Sequence, residues 1–410
     1  MTVTLDTEFA RQQFPAFQEP SLAGQAFFDN AGGSYACRQV MDRLTRYYRE
    51  TKLQPYGVHP ASQAAGQAMD SAHERLAEYL GVRPQEVHLG PSTSQNTYVL
   101  AQAFAQRLQP GDEIIVTNQD HEANNGVWRR LARQGIVVKE WTMDPATGQL
   151  HVDALKPLLT ERTRVVAFTH CSNILGQINP VAEVCALAHA VGARTVVDGV
   201  SYAGHGFPDV QALGADIYLF SLYKTFGPHQ GLMVIRDDTA QFLGNQAHYF
   251  NEAHIHKWFV PAGPDHAQVA ASAGVVDYFD ALYAHHFPQG SPGLTRREAV
   301  NGLMHAAEQP LLQTLLDFAR DDARVRLLGP AQGSERAATV SLLPQRHSVV
   351  EVAQRLARHG IVCGASHFYA VRLLEGLGLN PQAGVLRLSF VHYTQAAEVS
   401  QLLQALDAAL

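Results

Sequence analysis

Residues 195–228 read TVVDGVSYAGHGFPDVQALGADIYLFSLYKTFGP. A β-branched apolar run ends on Asp198 and breaks at Gly199. A second run, 216–221, is followed by Lys224 and then by Gly227-Pro228. Each run reads as a buried strand, because β-branched and aromatic side chains suit a pleated surface while Gly and Pro end it. A carboxylate and an amine therefore stand at strand carboxyl ends, where open α/β sheets bind ligands. Both also have ordinary readings: Asp198 as a helix N-cap, Lys224 as a surface lysine after a strand.

The alternation extends in both directions. Further strands are predicted at 86–89, 113–117, 137–141, 165–169 and 232–235, with Ala-rich helical patterns at 97–108, 127–134 and 181–191. Strands alternating with helices predict an α/β fold, here a mostly parallel seven-stranded sheet between helices. Several strands are nearly continuous apolar runs, as expected when both faces are covered. The character changes near 261–268. A helix follows at 269–283, then a Gly/Pro/His-rich loop, then helices at 296–317 and 349–359 with short strands at 338–342 and 385–389. The expectation is a large domain over 21–284, a smaller α+β domain over 285–410, and an N-terminal segment, 1–20, packed on the small domain.

Composition narrows the function classes. The chain has 410 residues, too many for one ordinary core, with 46% apolar and 17% charged residues. A net charge of -7 without a dense Lys/Arg run speaks against nucleic acid and anionic membranes as partners. The four cysteines are scattered, which fits neither a disulfide framework nor a zinc site and suits a reducing cytoplasm. The opening MTVTLDTEFARQQFPAF has neither the basic nor the apolar part of a signal peptide, and no apolar stretch reaches the ~20 residues of a membrane span.

Only five lysines are present: Lys52, Lys139, Lys156, Lys224 and Lys257. Desolvation at a strand's carboxyl end would lower Lys224 from the usual ~10.4 toward the range useful for imine chemistry. Asp198 could pair with a protonated ring nitrogen. Residues 90–97, GPSTSQNT, join a strand to a helix; small hydroxyls and free N–H groups there suit a phosphate, or simply cap the helix. His121 (in NQDHEAN) could stack on a flat ring and Asn173 (in THCSNILGQ) could donate to a ring oxygen; either could be an ordinary core or loop residue. The phosphate loop G-x-x-x-x-G-K-[ST], G-x-S-x-G, the second His of a zinc-protease helix and a complete G-x-G-x-x-G are all missing. The His285-His286 and His254/His256 pairs lack further obvious ligands, so no metal site is expected.

A phosphate cradle, a ring partner, an Asn, an Asp and a Lys follow one another in that order. This order and spacing resemble the class V aminotransferase fold type, and in particular the cysteine desulfurases, over most of the chain. The 196–228 stretch is similar to that family's Asp-to-Lys signature almost end to end, and FDNAGGS (28–34) resembles its opening substrate-side loop. The resemblance implies a pyridoxal 5′-phosphate (PLP) enzyme of fold type I. Lys224 would bond the cofactor, Asp198 would pair with its ring nitrogen, and His121 would stack on the ring and carry a proton. Asn173 would bond the ring oxygen or the substrate. Thr93, Ser94 and Ser221 would hold the phosphate, and Arg387 would clamp the substrate carboxylate with its planar fork. Asn30 and Tyr369 would lie on the substrate side. Homodimers with interface active sites are the family expectation.

The chain also departs from that pattern. Ser201 stands where the family usually has Gln, and Tyr223 where a phosphate-binding His is common. Gly263-Pro264-Asp265 replaces a Gly-Thr-Pro loop. The loop 363–369, CGASHFY, carries Tyr369 where a desulfurase has its sulfur-accepting cysteine, while Cys363 lies six residues earlier at a strand end. A strand-end cysteine is more often a small buried apolar residue than a nucleophile. The expected activity is therefore C–S cleavage by β-elimination on a cysteine-like amino acid, without an enzyme persulfide. His367, Tyr369 and Arg372 would select the reaction's outcome. Transamination to a keto acid and an inactive binding protein of the same fold are the alternatives.

Overall fold

The computed structural model describes residues 3–261 and 263–410. Its centre is a seven-stranded sheet: β1 (Val87–Gly90), β2 (Glu113–Thr117), β3 (Val137–Trp141), β4 (Thr163–Thr169), β5 (Arg194–Asp198), β6 (Ile217–Ser221) and β7 (Gly231–Ile235). The spatial order is β1-β7-β6-β5-β4-β2-β3. Four of the pairings are parallel, while β7 runs antiparallel to both its neighbours. Every residue of β1, β2, β6 and β7 is buried, which explains the uninterrupted apolar runs. The carboxyl ends of β1, β2, β4, β5 and β6 and the start of β7 share one rim.

Helices cover both faces: α1 (Arg38–Glu50), α2 (Pro60–Leu80), α3 (Thr93–Ala105), α4 (Val181–Ala190) and α5 (His266–His286). The third begins four residues earlier than the apolar pattern suggested. Ser92 caps it by accepting a hydrogen bond from Gln95 N at 3.2 Å, so residues 93–96 form its first turn rather than a loop. The pattern at 127–134 resolves into one short α-turn (Gly126–Arg129) and a 3-10 turn (Arg130–Gln134). Helix α5 is buried along most of its length against α1 and α2. At the crossing a Cβ on Gly274 would meet Val40 N at 2.5 Å, so a glycine is required there.

A second sheet orders Gly364–Ser366, Val385–Ser389, Thr339–Pro344 and Val325–Leu328, all antiparallel, with helices Arg296–Asp321 and Val349–Arg358 packed on it and Ala396–Ala409 packed against those two helices. Its own core includes Leu316, Val340, Leu388 and Leu402. The chain start reaches both regions. Arg11 pairs with Glu398 at 2.8 Å, while Phe14 packs edge-on to Phe226, Tyr278 and Tyr393. A buried His205–Glu308 pair at 2.6 Å and a Tyr278–His392 hydrogen bond at 2.6 Å tie the large sheet's layers to the C-terminal region. No helix among the described residues is long and apolar enough to cross a membrane.

One glycine couples fold and rim. A Cβ on Gly231, at the start of β7, would lie 2.3 Å from Ser92 C and 2.4 Å from Thr93 N. Both are backbone atoms and cannot rotate aside. Gly231→Ala should therefore cost about 1–3 kcal/mol, the usual range for overpacking. The check is a lower urea midpoint with an unchanged m-value; an unchanged midpoint would show that the loop before α3 yields freely.

Candidate active site

The rim gathers the titratable side chains. Lys224 follows β6 in a 3-10 turn and makes no ion pair among the described residues. Burial, with the nearby charge of Arg387 adding to it, lowers its ammonium to about 8, and Asp198 and Asp29 offset only part of that. Asp198 ends β5, is buried, and accepts a hydrogen bond from Val200 N at 2.9 Å. Burial raises its carboxyl to about 6; the Val200 N–H and the Lys224 charge pull the other way. The turn after it needs Gly199, because a Cβ there would meet the Tyr218 hydroxyl at 2.1 Å. That phenol is 2.8 Å from His170 Nδ1, and Tyr202 stacks on the His170 ring at 3.7 Å. Ser201 lies half-buried in the same turn.

Three hydroxyls converge beside α3. Thr93 Oγ1 and Ser221 Oγ are 2.8 Å apart, both buried, and the Tyr223 phenol lies close enough to Ser221 for that hydroxyl to favour its ionised form. Tyr223 stacks on His229 at 4.7 Å. Ser94 is exposed on the first turn of the helix. The free N–H groups and positive end of this 13-residue helix aim at the same place.

His121 stands beyond β2, its Nδ1 accepting from Ala123 N at 3.1 Å. Burial first, then the charges of Lys224 and Arg387, drive its imidazolium down to about 3, so the ring is neutral at ordinary pH. Its ring lies 5.2 Å from Tyr369. Tyr369 is 66% exposed and, with Phe368, adopts a left-handed backbone at φ 57 and 47. Such positions cost of order 1–3 kcal/mol each unless their surroundings hold them. Here Glu122 N donates to Tyr369 O at 2.8 Å, Asn173 Nδ2 donates to Phe368 O at 2.9 Å, and Arg372 pairs with Glu122 at 3.3 Å.

Arg387, on the strand Val385–Ser389, is 2% exposed. Its Nη1 donates to Asn173 O and its Nη2 to Asp29 Oδ1, each at 3.2 Å, and its guanidinium lies 3.7 Å over the Phe368 ring. Asn173 Oδ1 and Arg387 Nε are buried without partners. The residue facing Arg387 is thus Asp29, the chain neighbour of Asn30. The Asn30 amide donates to Ser389 O at 3.2 Å and accepts from the Tyr393 hydroxyl, which leaves it a structural tie. Asp29 stands in the same FDNAGGS loop. It bridges Ser389, two residues from Arg387, and side chains two apart on a strand share a face. Cys363 is partly buried on the small core, and burial pushes its thiol up to about 12.

These residues suit PLP. A lysine of lowered basicity, a buried carboxylate at a strand end, a hydroxyl cradle on a helix start and two orphaned buried polar atoms match the group's aldehyde, ring nitrogen, phosphate and ring or substrate polar atoms in kind. The fold and rim define the architecture of a fold-type I PLP enzyme. The class-V aminotransferase family model matches residues 26–264, more than half of the chain. The chain is 34% identical, over 98% of its length and 98% of the relative's, to the aminotransferase-like protein FGM3 of Gibberella zeae. It is 31% identical, over 98% of its length and 97% of the relative's, to a probable cysteine desulfurase of Pseudomonas aeruginosa. An apo cysteine desulfurase structure from Thermococcus onnurineus NA1 superposes with a TM-score of 0.86 at 24% identity, covering 99% and 98% of the two chains. The protein belongs to the class V aminotransferase family, within its cysteine desulfurase-like group, and is a PLP-dependent enzyme.

Proposed function

We propose that the enzyme cleaves the C–S bond of a cysteine-like amino acid by β-elimination, without storing sulfur on itself. The observation that carries this reading is that the 363–369 loop sets Tyr369, not a thiol, beside His121, while Cys363 is packed against the small core with its thiol held near 12. At neutral pH that thiol is almost wholly protonated, and the thiolate is the nucleophile. Its partial burial against the small core further suits a packing role.

The bound cofactor supplies an electron sink that lets the substrate Cα–H bond break. Lys224 Nζ, near 8, takes that proton as a general base close to working pH. Asp198, with the ring nitrogen as its counter-charge, stays ionised. Thr93, Ser94, Ser221 and Tyr223 would hold the phosphate, and Ser201 would serve the ring oxygen. His121, neutral, covers the ring face. Asn173 and Arg387 orient the substrate, and Tyr369 closes its outer side. The net change needs no oxidant: cysteine and water give pyruvate, ammonia and hydrogen sulfide.

We also infer that two copies pair. Tyr56 and Phe250 are exposed on the lining of a cavity of about 570 Å³ that reaches Gly263 and Pro264, and their chain neighbours Val58 and Tyr249 are exposed too, an apolar surface of the kind that marks protein contacts.

The test is product analysis with the PLP-loaded protein and cysteine. Pyruvate and sulfide should form in equal amounts with no alanine. Alanine, with sulfur retained on Cys363, would make the enzyme a true desulfurase. A strict need for a keto acid would make it an aminotransferase.

A further inference from the structure

Arg387 meets a carboxylate that the protein itself supplies. Phe368 covers the guanidinium at 3.7 Å, Asn173 O takes Nη1, and Asp29 Oδ1 takes Nη2 with a single oxygen at 3.2 Å. Nε is left over. Arg387 is 2% exposed and cannot turn to water, whereas the Asp29 side chain is 31% exposed. Asp29 is also close enough to Lys224 to favour that residue's charge. The member of the pair open to water is therefore the carboxylate, and it holds the Nη2 donor that a second carboxylate would need.

We propose that Asp29 is a specificity-determining residue, a built-in competitor for the substrate's carboxylate at Arg387; this rests on the reading of Arg387 as the carboxylate clamp. Two carboxylates on one guanidinium repel each other. An arriving carboxylate must displace Asp29 into water before it gains both hydrogen bonds of the fork. A substrate whose carboxyl is neutral, as an amide or ester, leaves the Asp29–Arg387 pair intact and forfeits little. Asp29 thus blunts the site's preference for free amino acids over carboxyl-masked ones.

The experiment compares two oxyamines on the PLP-loaded protein: aminooxyacetate, which has a carboxylate, and O-methylhydroxylamine, which does not. Both react with the cofactor's aldehyde carbon, and the change in the visible spectrum reads apparent Kd. In Asp29→Asn, which keeps the size and the acceptor oxygen, the preference for aminooxyacetate should rise about tenfold, or about 1.4 kcal/mol. O-methylhydroxylamine reports any change that acts through Lys224, so the ratio of the two affinities is the readout. Asp29→Ser is the second variant and should shift the same way. An unchanged or smaller preference in both variants overturns the proposal. If Arg387→Ala shows the wild-type preference, the clamp reading fails and the proposal with it. If neither oxyamine alters the wild-type spectrum, the cofactor reading fails.

Discussion

Lys224→Ala should lower turnover by at least about 10³-fold and abolish the visible band of lysine-bound cofactor. Two functions leave together: the covalent hold and the base for the Cα proton. General acid–base help alone contributes about 10²–10⁴. Added PLP should still bind through the Thr93–Ser221 cradle and Asp198, but as a free aldehyde that a small exogenous amine partly rescues. The same amine sets a pH dependence. Only the neutral amine attacks an aldehyde, and the Lys224 ammonium loses its proton near 8. Capture of PLP by cofactor-free protein should accelerate about tenfold per pH unit below 8 and level off above it. An ordinary lysine would keep accelerating toward its usual ~10.4. A wild-type band surviving in Lys224→Ala would assign the covalent role to another lysine.

Arg387→Ala should raise KM for a free amino acid about 100-fold, or about 2.7 kcal/mol, with a much smaller change in kcat. Truncating one partner of a hydrogen-bonded charge pair typically costs 2–5 kcal/mol in binding. Arg387→Lys should recover only part of this, because an ammonium lacks the planar fork that serves two carboxylate oxygens. Folding should suffer less. Asp29 keeps access to water, so the loss stays below the ~3–5 kcal/mol of a fully buried broken pair. A KM effect of similar size on a carboxyl-masked substrate would point to general disruption of the rim instead.

Much of this architecture was readable from residue order. The central strands announce themselves as apolar runs because helices bury both their faces, and the Asp198 and Lys224 signals stand out because each interrupts such a run. The direction of β7 was not readable. A strand buried on both sides has the same composition whichever way it points. Helices α1 and α2 escaped notice, and the second mixes Ala with Gln, Ser and His at modest contrast. At the site, Asn30 came from the resemblance of FDNAGGS to a family loop, while the neighbouring Asp29 acquires its meaning only from a bridge to Ser389, some 360 positions later. The His170–Tyr202–Tyr218 stack is similar: no local pattern announces that a phenol from β6 passes beneath Gly199.

The burial of helix α5 has a consequence for how the chain is made. Its Tyr278 is covered by Phe14 from the beginning of the chain and bonded by His392 near the end. A ribosome releases the helix more than 100 residues before His392 emerges, at roughly 5–20 residues per second. For several seconds the stretch around Tyr278 lacks its His392 partner, although α1, α2 and Phe14, all made earlier, already cover its other faces. The C-terminal cover of α5 is therefore the last to be made, and a chaperone that shelters the region around Tyr278 during synthesis would act in that interval.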